Sequence, residues 1–185
     1  ALTVFLHRLH EVSGKEDPAA LDAVHALISD DLRPACEELA SIAQEVAERL
    51  SPRLHERLEE ERGGPNATML QLRITDPVRS GALWTEALEP LTEQLRAAVA
   101  GFAARAGRLR GLVDRLTKAA QEKLDAATLQ IESHTARMAA AGESLAAFLS
   151  SNDNVCAWIE YAAPRRAGEA PILRWLTAPV ELGPT

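Results

Sequence analysis

Apolar residues recur along most of this chain every three or four positions, the period of a helix with one buried stripe. In 2–12 the set is Leu2, Phe5, Leu6, Leu9 and Val12, a short amphipathic helix that Gly14 should stop. Asp17 and Pro18 then supply a capping carboxylate and a proline suited to a first helical turn, so a second helix is predicted. Leu21, Val24, Leu27 and Ile28 form its face, and Asp30, Asp31 and Pro34 read as punctuation. A third helix follows to about residue 62, with a seam of Leu39, Ile42, Val46, Leu50, Leu54 and Leu58. Pro52 has no N–H to donate and is expected to kink this helix or split it after Leu50. Glu59, Glu60 and Glu61, then Gly63, Gly64 and Pro65, end it.

The period changes to two at 68–75, where Leu70, Leu72 and Ile74 share one face of a predicted strand. Asp76 and Pro77 close the strand and can open a helix. From 77 to 149 the helical period returns through Leu91, Leu95, Phe102, Leu109, Leu112, Leu116, Leu124, Ile131, Met138, Leu145 and Leu149. A run of that length predicts two antiparallel helices or a coiled-coil hairpin. Gly101, Gly107 and Gly111 weaken its first half without marking a turn. After a loop at 150–154, the segments 155–161 and 172–178 are rich in β-formers and flank a turn cluster at 164–168. The fold class is therefore mainly α (α+β). It is a long helical arch-like bundle or antiparallel helix pair, with a short strand and a C-terminal two-strand β element. Residues 1–150 form the helical part, and 151–185 look like the edge of a different unit.

Composition narrows the picture. A chain of 185 residues holds one domain, or one domain and a piece of another. Only 4% of residues are aromatic, so Leu, Ala and Val must fill the core, which favours helix packing. No apolar run approaches the roughly 20 residues that span a bilayer. Cys36 and Cys156 cannot build a disulfide framework or close a four-ligand metal site alone, and both read as packing residues. Their scarcity fits a reducing compartment, so the expected location is cytoplasmic, and no basic-then-apolar leader is seen. The chain stops straight after a strand-like run with no polar tail, as natural chains can and as a piece of a longer protein would.

The net charge of −7 argues against a free-standing nucleic-acid binder, but the charge is unevenly spread. Residues 96–123 hold seven basic and two acidic groups, so this segment is +5 and the remainder −12. Arg105, Arg108, Arg115 and Lys118 recur mostly at helical spacing, opposite a seam of Phe102, Leu109, Leu112 and Leu116. They are the candidate phosphate-contacting residues; the plain alternative is a solvated helix face.

No catalytic residues are predicted. The chain has no phosphate-binding glycine loop, no dinucleotide fingerprint and no nucleophile elbow. His7 and His10, three apart, lack a third ligand for a metal, while His25, His55 and His134 read as isolated surface side chains. Trp158 and Trp175 are expected to pack together in strand core, with base stacking as the alternative. Trp84 is expected to anchor a helix against the strand at 68–75.

The order of these features resembles the DinG-type, XPD-like DNA helicases of superfamily two. The residues that carry the resemblance are 70–77 (Leu-Gln-Leu-Arg-Ile-Thr-Asp-Pro), 151–161 (Ser-Asn-Asp-Asn-Val-Cys-Ala-Trp-Ile-Glu-Tyr) and 172–183 (Ile-Leu-Arg-Trp-Leu-Thr-Ala-Pro-Val-Glu-Leu-Gly). In that family a helical arch insertion lies between the DEAH box and the Ser-Ala-Thr motif. The chain then returns to the motor through a Val-x-Trp-x-Glu strand, matched by Val155, Trp158 and Glu160 with one extra residue after Val155. A strand ending in Ala-Pro-Val-x-Leu-Gly follows, matched at 178–183. The resemblance implies a fragment of an ATP-dependent DNA helicase, an ATP hydrolase of DNA repair. ATP, Mg and, where the parent carries one, an iron–sulfur cluster would bind elsewhere in it. The Walker A loop, the DEAH box and the cluster cysteines are absent from this sequence, so the piece itself would not be catalytic. Its partner would be single-stranded DNA, guided by the arch, with no membrane and with protein partners possible through the helices.

The competing reading is a helical coiled-coil interaction or scaffold protein, which has no use for the Trp-bearing strand pair. A lipid-surface protein would need aromatics that the helices lack.

Overall fold

The computed structural model describes residues 1–12, 17–62, 69–150, 155–164, 166 and 169–179. The expected stop at Gly14, the breaks at 63–65 and 151–154, most of the 164–168 turn and the 180–183 tail lie outside them. The helices are α1 (Leu2–His10), α2 (Pro18–Ala26), α3 (Arg33–Arg62), α4 (Asp76–Arg79), α5 (Glu89–Ala106), α6 (Leu109–Val113) and α7 (Lys118–Leu149). The strands are β1 (Met69–Arg73), β2 (Val155–Ala162) and β3 (Ile172–Pro179). The mainly helical α+β class is as the periodicity predicts.

Asp17 caps α2, its Oδ1 accepting from the Ala19 N–H at 3.1 Å, with Pro18 in the first turn. The break expected at Asp30–Pro34 does not occur. A π-helical turn, Leu27–Leu32, joins α2 to α3, and the Arg33 N–H reaches back five residues to the Ile28 carbonyl. The wider turn makes room for the Pro34 ring and absorbs the missing donor. A second π-helical turn, Trp84–Leu88, precedes α5, where Pro90 sits at the same offset. Pro52 does not split α3 either. Its ring is exposed, while Leu50, Leu54 and Leu58 are fully buried on the other side of the helix. Packing of that face outweighs one lost hydrogen bond.

The chain forms two compact units, and they do not divide at residue 150. The first comprises Ala1–Ala40 and Ala97–Ala141; the second comprises Ser41–Arg96 and Gly142–Thr185. The first is helical, with a core that includes Phe5, Val24, Ile28, Leu32, Phe102, Leu109 and Leu124. The second holds the antiparallel sheet, in the order β1-β2-β3. Leu70, Leu72, Ala157, Ile159 and Tyr161 line its buried face, over Leu50, Leu54, Leu58, Trp84, Leu88 and Phe148. Trp84 shares that core with β1, as expected, and its ring lies 5.8 Å from Phe148.

Trp158 and Trp175 do not share an environment. Trp175 is opposite Ile159, on the core side, and its indole N–H donates to the buried Thr92 hydroxyl at 3.0 Å. Trp158 has the other parity, with Arg73 and Leu176 as its cross-strand neighbours. Successive strand residues face opposite ways, and 158 and 175 fall on different sides of the pairing register.

Candidate nucleic-acid interface

The basic segment is not one helix. α5 ends at Ala106, and Gly107 and Arg108 turn the chain, with the Gly107 N–H bonded to the Ala103 carbonyl at 2.9 Å. One short helix later, Asp114 and Arg115 turn it again. The Gln121 side chain ties this second turn down, donating to the Asp114 and Leu116 carbonyls at 3.1 and 2.9 Å. Buried Phe102, Ala106, Leu109, Val113, Leu116, Ala120 and Leu124 anchor the connection in the first core. Leu112, expected in the seam, is half-buried, and Val113 takes the interior position.

The four candidate cations therefore lie on separate pieces. Arg105 is in the last turn of α5, Arg108 in the α5–α6 turn, Arg115 in the α6–α7 turn, and Lys118 is the first residue of α7. All are exposed. The straight stripe expected from spacings of three and seven is lost because two turns reset the helical phase.

Two of the four are already engaged. Arg108 pairs with Asp31 at 3.1 Å, and Arg105 lies 3.9 Å from Glu38. Arg115 and Lys118 form no ion pair among the described residues. Other cations of the segment are held as well. Arg110 grips Glu132 with two bonds of 2.7 Å and reaches Asp125 at 3.5 Å. This hydrogen bonding raises the Arg110 pKa and lowers that of Glu132. Arg96 clamps Glu93 in the same way, and its hydrogen bond lowers the Glu93 pKa. Lys123 donates to the Glu11 carbonyl at 3.1 Å.

Sequence reading missed these partners, although a signal was present. Residues 1–40 carry eight carboxylates against three basic side chains, and 97–141 carry seven basic side chains against four carboxylates. The same two segments make up the first unit. Much of the basic excess is thus answered inside the fold.

The remaining candidates have ordinary roles. His7 lies 3.4 Å from Glu11, and the His10 ring meets His25 edge-on at 6.2 Å. His55 is not isolated, since its ring lies against Tyr161. No group of three or more His, Cys, Asp or Glu suited to a metal occurs among the described residues. Cys36 is exposed rather than packed, and Cys156 is half-buried. A cleft of about 680 Å³ in the second unit has an apolar lining including Leu72, Val78 and Leu83, and an Arg53–Glu86 pair at 3.5 Å. No helix among the described residues is long and apolar enough to cross a membrane. The chain matches no family model, no curated protein and no solved structure.

Proposed function

We propose that this chain is the helical arch and returning strands of a DinG- or XPD-like ATP-dependent DNA helicase. In this reading it guides single-stranded DNA during translocation and performs no chemistry itself. The observation that carries the reading is the sheet. The segments on which the resemblance rests are far apart in sequence, yet within the described residues they are neighbouring strands, β1, β2 and β3. A chain that leaves β1 through α4 to α7 and comes back to pair with it at β2 is what a module inserted in a motor requires. A scaffold needs no such closure.

The strand-guiding surface is the α6–α7 connection. Arg115 and Lys118 are exposed there without a carboxylate partner among the described residues, whereas Arg105 and Arg108 face Glu38 and Asp31. Phosphate contacts of this kind are independent of sequence and release counterions, so they show in the salt dependence of binding. The test is single-strand affinity of the parent helicase across a salt series. Arg115→Ala with Lys118→Ala should flatten the slope by about 0.7 for each phosphate no longer neutralised. Arg105→Ala with Arg108→Ala should change it less. ATP hydrolysis at saturating DNA should stay near wild type. An unchanged slope in the first double variant would reject the reading.

A further inference from the structure

We infer that the helical unit opens as a separate cooperative unit while the strand-bearing unit stays folded. The inference does not depend on the DNA reading.

It starts from where side chains are buried along the three long helices. α3 buries Ala35 and next Val46; α7 buries Ile131 and next Leu145; α5 buries Thr92 and next Val99. Between those positions no side chain is buried. Four half-buried apolar residues in these stretches each pack on one of the two cores. Leu39 and Met138 pack on the first core, and Ile42 and Leu95 on the second. Neither cluster shares a member with the other. Cooperativity in a protein follows shared buried contacts, and a helix stretch that buries nothing transmits little of it. Intrinsic propensity alone leaves such a stretch marginal, with Gly142 inside the one in α7 adding a weak point.

The order of opening follows from what each core holds. The second unit buries Trp84, Phe148 and Tyr161 behind a three-stranded ladder. The first relies on Leu, Val, Ile and Ala with two phenylalanines, Phe5 and Phe102. Large rings bury the most area per residue, so the helical unit is the weaker one.

The sequence supplies a clean reporter. Trp84, Trp158 and Trp175 all belong to the second unit, so tryptophan fluorescence reads that unit alone, while helical circular dichroism reads both. In a urea titration of the full 185-residue chain, the dichroism should begin to fall before the fluorescence changes. Leu124→Ala, in the first core, should advance the early phase by roughly 1 to 2 M urea and leave the fluorescence midpoint in place. Leu54→Ala, in the second core, should advance the fluorescence midpoint. Native-state hydrogen exchange gives a readout that needs no variant: amides in 109–131 should share one opening free energy, lower than that of 155–162. Coincident dichroism and fluorescence curves, or a fluorescence change that comes first, would overturn the inference. So would a single opening free energy across both regions.

Discussion

Arg79 serves two purposes at one place. Its guanidinium donates to the Leu149 and Phe148 carbonyls at 3.0 and 3.3 Å, in the last turn of α7. The same group lies 4.4 Å from the centre of the Trp84 ring. Arg79→Ala should lower stability by roughly 1–3 kcal/mol, read as an earlier urea midpoint in tryptophan fluorescence. Arg79→Lys should recover only part of the loss, because a lysine keeps the charge but not the fork. The Arg110–Glu132 clamp makes a different, pH-dependent contribution. Arg110 holds the Glu132 pKa below its ordinary value, so the folded state binds a proton there less readily than the unfolded chain. The stabilisation is complete above about pH 4.3 and is lost as pH falls through the lowered value. Both side chains are about one-third exposed, so solvent screening keeps the pair near 0.5–1 kcal/mol. Wild type should exceed Glu132→Gln by that margin at pH 7, and thermal melts at pH 3 should show the gap narrowed.

At the scale of elements, the sequence was most readable where a period was sustained. β1, Met69–Arg73, and the residue after it show the alternation expected, with Leu70, Leu72 and Ile74 buried and Gln71 and Arg73 exposed. The hairpin of β2 and β3 follows from β-branched and aromatic residues on either side of a turn cluster. Proline and glycine were the misleading letters. Pro34 and Pro52 suggested breaks that a π-helical turn and a packed leucine face remove, while Gly107, which gave no clear signal, sits at a real turn. The candidate interface was legible only as a composition. That Arg105 and Arg108 meet Glu38 and Asp31 depends on residues some seventy positions away, which periodicity cannot register. Because Pro52 is exposed inside a continuous helix, it still costs α3 a backbone bond. Pro52→Ala should raise stability by about 1–3 kcal/mol, less the entropy that proline removes from the unfolded chain. A later urea midpoint would bear this out, and a lower one would mean that the local backbone is shaped around the ring.

For the whole molecule, the chain visits the first unit, then the second, then returns to each in turn. Neither unit can assemble from a contiguous stretch. This interleaving has a consequence for how the protein is made on the ribosome. Leu50, Leu54 and Leu58 emerge long before Ile159 and Tyr161, which share their core, and Leu70 and Leu72 emerge before their partner strand exists. At 5–20 residues per second, β1 waits on the order of 4–16 s for β2. During that interval the nascent chain carries an unpaired strand and an unsatisfied leucine face, the features that recruit chaperones or promote aggregation. The acidic character of 41–96, with ten carboxylates against seven arginines, gives the waiting segment a net charge that keeps neighbouring chains apart.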